Sequence, residues 1–85
     1  MKKISQKILK YTAIFEPAEE GGYVVYVPAL PGCVTEGNTL EEALAMTKDA
    51  ISGYIASLKK HNEAIPEENH PSFVSTIDVA IPSTA

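Results

Sequence analysis

Apolar and polar positions alternate along three short stretches near the start of the chain, and this alternation predicts three β-strands. The first covers residues 8–15, and its larger apolar face carries Leu9, Tyr11, Ala13 and Phe15. Residues 23–27 are aromatic or β-branched throughout, and residues 33–36 form a short third strand. Residues 16–22 contain two glycines and predict a hairpin loop, whereas Pro28 ends the second strand because proline offers no N–H to a sheet. The expected arrangement is an antiparallel meander.

From about residue 40 to about residue 60, apolar side chains recur every three or four positions, which predicts one amphipathic helix. Thr39 and Glu42 have the spacing of a capping box, in which each side chain accepts a hydrogen bond from the other residue's backbone N–H. Gly53 interrupts the helix at a cost in helix propensity, and a close approach to the sheet would explain it. Residues 61–62 are expected to end the helix.

A fourth alternating stretch covers residues 72–82, with Phe73, Ser75, Ile77, Val79 and Ile81 on one face. The polar connector at residues 63–71 is long enough to return the chain across the sheet. A right-handed crossover would place this last strand beside the first and parallel to it. The sequence therefore predicts a single α+β domain over residues 1–85, with a core at about 8–82 and frayed termini. The predicted order is βββαβ, with strand order 3-2-1-4 and one helix on one face.

The second face of this sheet has no helix to cover it. Its apolar candidates are Ile8, Ile14, Val24 and Tyr26. Because uncovered apolar patches usually meet a partner, these residues predict an interface between copies and hence a dimer or larger assembly.

Acidic side chains give the 85-residue chain a net charge of −4. They form three groups: Glu16, Glu19 and Glu20; Glu36, Glu41 and Glu42; and Glu63, Glu67 and Glu68. Such a surface attracts basic partners. Equally, these acids occupy turns and a helix N-terminus, where carboxylates are favourable without any partner. Because arginine is absent and no lysine stripe exists, direct nucleic-acid binding by this chain is not expected.

The sequence also indicates where in the cell the protein is located. No apolar run approaches the roughly 18 residues that a membrane span needs, and polar residues interrupt the N-terminal segment where a signal peptide would be apolar. The single Cys33 excludes an internal disulfide and fits a small buried side chain in a reducing compartment. The expectation is a soluble cytoplasmic protein without a membrane partner.

Candidate catalytic chemistry is sparse. A magnesium-dependent nuclease needs several converging carboxylates, yet the first strand has no acid before Glu16 at its end. Cys33 with His61 or His70 would need a third group to orient the base, and none stands at a recognisable position. The sequence predicts no catalytic residue, no metal site and no cofactor.

The densest motif runs from the first hairpin into the helix. It reads Gly22-Tyr23, then Val27-Pro28-x-Leu30-Pro31-Gly32-Cys33-x-Thr35-x-Gly37-x-Thr39-x-Glu41-Glu42-Ala43. It resembles the HicB family, the antitoxin half of bacterial and archaeal HicA/HicB toxin–antitoxin pairs, over about residues 11–58. The resemblance implies a truncated ribonuclease H-like sheet.

The resemblance also implies a function. The partner would be a small basic HicA-like ribonuclease, which the chain would neutralise by covering the surface that meets RNA. Charge and expected exposure select five candidate contacts for this partner: Glu19, Glu20, Gly22, Tyr23 and Glu36. Many HicB-like antitoxins carry a further DNA-binding segment, whereas only residues 82–85 follow Ile81, so operator binding by this chain alone is not expected. The alternative is a solitary HicB-like domain without a toxin, which self-associates as a scaffold or interaction module.

Overall fold

Three antiparallel strands and one helix form the fold in the computed structural model, which describes residues 8–83. The elements are β1 (Ile14–Pro17), β2 (Tyr23–Tyr26), β3 (Val34–Gly37) and α1 (Leu40–Lys60). The sheet order is β1-β2-β3. The α+β class, the meander and the helix are therefore confirmed. The expectation of frayed ends falls largely on residues 1–7 and 84–85, which lie outside the described part.

The strand register separates two faces of the sheet. Val25 stands opposite Phe15 on one side and Thr35 on the other, and Val25 is fully buried. Since side chains alternate along strands, the neighbouring positions form the opposite face, here called the back face. It consists of Ile14, Glu16, Val24, Tyr26, Val34 and Glu36. Apolar and acidic side chains thus share the back face.

Side-chain and backbone caps fix both ends of α1. The Thr39 hydroxyl accepts a hydrogen bond from the Glu42 N–H at 3.0 Å, as the capping box predicts. The reciprocal bond differs from the prediction, because the Glu42 carboxylate accepts from the Asn38 N–H at 3.2 Å. At the other end, Asn62 has a φ of 55° and the Glu63 N–H donates to the Leu58 carbonyl at 2.9 Å, which is a Schellman motif. This confirms that the helix ends at residues 61–62.

A core cluster forms where the loop between β2 and β3 meets the middle of α1. Val27, Leu30 and Cys33 are buried and pack with Tyr11, Ala13, Ala50, Ile51 and Tyr54. Backbone hydrogen bonds of 2.9–3.1 Å link Val27, Leu30 and Cys33 in a compact turn. The Tyr54 hydroxyl donates to the Pro31 carbonyl at 2.8 Å and ties the turn to the helix. The prediction of a small buried Cys33 is confirmed.

α1 packs across β3 and β2 rather than across the whole sheet. Gly37 lies at the closest approach, since a Cβ on it would fall 2.4 Å from the Ala43 backbone nitrogen. The corresponding expectation for Gly53 is wrong, because Gly53 is exposed and a Cβ there would meet no atom within 4 Å. The helix therefore contacts the sheet through its N-terminal turns and leaves the inner face of β1 largely uncovered.

The predicted fourth strand does not form among residues 8–83. The connector does return to the segment that leads into β1, where the Thr12 N–H donates to the Glu68 carboxylate at 3.0 Å. Beyond it, residues 72–82, here called the C-terminal arm, are exposed throughout and pair with no strand. Strand order 3-2-1-4 is accordingly not confirmed. Pairing would bury one face of the arm against β1, whereas every residue of the arm is exposed.

The attachment of the connector is expected to weaken in acid. Hydrogen bonds from the Thr12 hydroxyl and N–H hold the pKa of the Glu68 carboxyl below its usual value. The contribution of this group to stability is therefore complete above the unfolded pKa of about 4.3 and is lost as pH falls through the lowered folded pKa. We expect Glu68→Gln to reduce the loss in melting temperature between pH 6 and pH 3. Glu63→Gln is the control, and equal pH responses of the two variants would contradict this role.

Candidate interaction surfaces

An acidic concavity of about 440 Å³ lies where the first hairpin, β3 and the start of α1 meet. Its walls are Ala18, Glu20, Gly21, Tyr23, Val24, Glu36, Gly37, Asn38, Glu42 and Met46. Three of these residues are glutamates and none is basic. The concavity therefore presents negative charge around two larger apolar or aromatic side chains, Tyr23 and Met46.

Local sequence explains why these side chains converge. Gly21 and Gly22 have φ values of 99° and 77°, which allow the tight turn that starts β2 at Tyr23. Gly22 is also sterically required, because a Cβ on it would lie 2.6 Å from the Gly37 carbonyl oxygen. The capping contact of Glu42 with Asn38 then holds the first turn of α1 beside the end of β3. Glycines thus bring the acidic elements together.

The five predicted contact residues are divided by the structure. Glu20, Tyr23 and Glu36 line the acidic concavity together. Glu19 is exposed in the hairpin turn outside it, and Gly22 supports its wall sterically. The predicted contacts did not include the three wall residues that follow β3, namely Asn38, Glu42 and Met46. Helical spacing was the available signal, since residues 42 and 46 share a helix face that the cap places next to β3.

Three of the four residues predicted for an interface between copies lie together, and the fourth lies apart. Ile14, Val24 and Tyr26 lie together on the back face, and Ile14 stands directly opposite Tyr26. Ile8 precedes the sheet and is exposed. The Tyr26 hydroxyl donates to the Glu16 carboxylate at 2.8 Å, and this hydrogen bond raises the pKa of Tyr26. The back face is therefore a mixed surface, apolar in its middle and acidic beside it.

An apolar groove of about 620 Å³ lies between α1 and residues 9–15, the segment that leads into β1. Its walls are Leu9, Tyr11, Ala13 and Phe15 on one side and Leu44, Thr47, Lys48, Ile51, Ser52 and Ile55 on the other. The main contacts of α1 are with β3 and β2, so most of its side chains that face residues 9–15 stay partly or fully exposed. The groove opens at the edge of the sheet, since β1 has no strand on its outer side within residues 8–83.

The cysteine and histidine side chains that could serve as nucleophile or base include Cys33, which is buried, and His61, which contacts the backbone of α1. Burial raises the pKa of the Cys33 thiol, which makes it a poor nucleophile at neutral pH. The His61 ring contacts the Ser57 carbonyl at 2.8 Å near the helix C-terminus. Across residues 8–83, no group of three or more histidine, cysteine or acidic side chains is arranged to hold a metal. Within the same residues, no helix is long and apolar enough to cross a membrane.

Comparison with known proteins identifies the family. A family model described as a HicB-like antitoxin of bacterial toxin–antitoxin systems matches residues 11–80. UPF0150 protein Ta0767 of Thermoplasma acidophilum is 61% identical over 61 residues, which cover 72% of this chain and 88% of that protein. UPF0150 protein ssr1765 of Synechocystis is 38% identical over 64 residues, covering 75% of this chain and 81% of that protein.

A named antitoxin is among the relatives. Antitoxin HicB 1 of Photorhabdus laumondii is 43% identical over 60 residues, which cover 71% of this chain but 39% of that longer protein. The matched region of 11–80 contains the sheet, the helix and the acidic concavity. The chain therefore belongs to the HicB-like antitoxin family of bacterial toxin–antitoxin systems, whose members are regulatory antitoxin modules and not enzymes.

Proposed function

We propose that this chain neutralises a small basic HicA-like ribonuclease by covering the surface with which that toxin binds RNA. Family membership implies a toxin partner in general. The acidic concavity carries the more specific proposal, because Glu20, Glu36 and Glu42 converge there without a basic neighbour in its walls. A basic surface shaped for phosphates is complementary to such a site. The proposed contacts are Glu19, Glu20, Gly22, Tyr23 and Glu36, with Asn38, Glu42 and Met46 added.

The mechanism is steric and electrostatic. Carboxylates in the concavity pair with lysines or arginines that otherwise contact RNA phosphates, and Tyr23 and Met46 supply apolar contact between them. RNA and this chain then compete for one surface of the toxin. The chain itself avoids nucleic acid, since its net charge is −4 and arginine is absent.

Other parts of the proposal concern where and in what form the chain acts. It works in the cytoplasm, which agrees with a single free and buried cysteine. It is one domain with a truncated ribonuclease H-like sheet, of which β1-β2-β3 supply three strands. It self-associates, because both the back face and the C-terminal arm expose large apolar side chains.

Capture followed by an RNA-cleavage assay tests the neutralisation. The tagged chain is used to capture its partner from native lysate, and mass spectrometry identifies what is bound. We expect a small basic protein in near-equal amount, whose RNA cleavage stops when one equivalent of this chain is added. Added RNA should displace the chain, and the complex should weaken as salt rises.

Two results would contradict the proposal. Recovery of this chain alone would favour the solitary self-associating domain. Recovery of a basic protein that still cleaves RNA inside the complex would show that binding leaves the toxin's RNA surface open.

A further inference from the structure

We propose that the C-terminal arm of one copy adds to the outer edge of β1 in a second copy and fills the apolar groove there. The occupant is therefore a segment of this chain, contributed by another molecule. The inference rests on the proposed self-association and defines its geometry, but it does not depend on a toxin.

The arm has the composition of an inserted strand. Phe73, Ile77, Val79 and Ile81 share one face and are 89%, 79%, 74% and 82% exposed. The opposite face carries Val74, Thr76, Asp78 and Ala80. Ser75 also lies on the first face and Val74 on the second, but the alternation is still typical of a strand with one buried face. The arm buries neither face in its own chain. A strand of 11 residues spans about 36 Å, which exceeds the length of β1.

The outer edge of β1 and the apolar groove beside it lack the strand and the apolar side chains that the arm would supply. β1 is an edge strand, so its outer backbone groups can pair with an added strand. Beside that edge, the apolar groove exposes Phe15, Leu44, Ile51 and Ile55 between the sheet and the helix. An added strand would direct alternate side chains into this groove, where α1 leaves the inner face of β1 uncovered. The arm therefore fits the position that a fourth strand would take.

The departure of the arm from its own domain favours exchange between copies. Glu68 is held at Thr12, and the Tyr11 hydroxyl donates to the Pro66 carbonyl, so the connector ends beside the start of β1. From there the arm stays exposed along its whole length, and the radius of gyration is 17.5 Å, against about 12 Å for a compact domain of this length. An arm and a groove on each copy allow both to be satisfied in a closed twofold dimer.

The position of the arm can be measured by paramagnetic broadening in mixed dimers. Thr76→Cys carries a spin label on the arm's polar face, in a chain without isotope label, while buried Cys33 stays unmodified. This chain is unfolded, mixed with ¹⁵N-labelled wild type and refolded. We expect broadening of ¹⁵N amide signals from the walls of the groove, including Ala13, Leu44 and Ile51. Broadening seen only when label and ¹⁵N share one chain would overturn the exchange.

A matched pair of substitutions tests the same contact by sedimentation. Ile77→Asp places a charge on the face of the arm that would enter the groove, whereas Thr76→Asp places it on the face that would stay in solvent. We expect Ile77→Asp to weaken dimerisation about 30-fold or more, as for an interface hot spot, and Thr76→Asp to change it less than about 3-fold. Leu44→Asp should reproduce the loss from the groove side.

The outcomes separate this inference from the proposals on which it rests. A dimer that is unaffected by Ile77→Asp and Leu44→Asp would overturn arm exchange but keep self-association, and would direct attention to the back face. A wild-type chain that stays monomeric at millimolar concentration would overturn both. Neutralisation of the toxin is read separately, by RNA cleavage.

Discussion

Replacing Gly37 with alanine is expected to lower the free energy of unfolding by about 3 kcal/mol, the upper end for overpacking a close contact. A Cβ at this position would fall 2.4 Å from the Ala43 nitrogen and 2.6 Å from the Ala43 Cα. Both atoms belong to the helix backbone, so no flexible side chain can move aside. The first turn of α1 must shift, and the capping contacts of Thr39 and Glu42 shift with it.

Gly53→Ala provides a matched control for Gly37→Ala. The two substitutions add the same methyl group, but the methyl group at residue 53 meets no atom within 4 Å. We expect this variant to gain up to about 1 kcal/mol, the difference in helix propensity between the two residues. Chemical denaturation at one fixed protein concentration measures both, because the proposed self-association would make stability concentration-dependent. Equal stability of the two variants would contradict the close approach of α1 to β3 at Gly37.

Local signals predicted most of the fold. The bounds of α1 follow from the cap at Thr39, the 3–4 spacing of apolar residues and the polar end at residues 61–62, and all three act within a few residues of one another. β2 and β3 agree with the prediction to within one residue at each end. β1 is less accurate, since the predicted strand at 8–15 begins its pairing only at Ile14. Alternation of apolar and polar residues indicates a half-buried extended segment, but it does not show at which residue a neighbouring strand comes within hydrogen-bonding distance.

The fourth strand shows where pattern reasoning fails. Residues 72–82 do alternate, and the connector does return to the segment before β1 through the contact of Glu68 with Thr12. The periodicity states that one face of this segment is suited to burial, but it does not state in which molecule. The predicted strand order 3-2-1-4 assumed that the fourth strand pairs with the first strand of its own chain. An arm and a groove within one sequence satisfy the pattern equally well when they belong to different copies.

Only part of the acidic concavity was predicted, because local sequence patterns do not show which elements pack together. Glu20, Tyr23 and Glu36 were selected by charge and turn position, and the structure brings all three to one concavity. Glu42 was predicted as a capping residue and as one of an acidic group, but not as a contact residue, yet its side chain both caps the helix and lines the concavity. Met46 had no polar signal at all. Its place follows from the packing of α1 on β3, which depends on the absence of a side chain at Gly37.

Reversing the charge of Glu36 is expected to weaken binding of the toxin about 100-fold, because like charges facing each other across an interface cost several kcal/mol. Glu36 is exposed at the wall of the acidic concavity, so the substitution Glu36→Lys should leave the fold intact. Glu63→Lys changes the net charge equally but lies beyond the opposite end of α1. It should weaken binding only through the general loss of negative charge, by less than about 3-fold at physiological salt.

Calorimetric titration of the captured basic protein with each variant measures these affinities, and RNA cleavage reports whether neutralisation is lost in parallel. Raising the salt concentration should narrow the difference between wild type and Glu36→Lys, since part of the effect is long-range attraction. If Glu36→Lys and Glu63→Lys lose affinity equally, net charge rather than the acidic concavity governs recognition. In that case the toxin would meet another surface of the chain, and the convergence of Glu20, Glu36 and Glu42 would be a consequence of the hairpin and the helix cap alone.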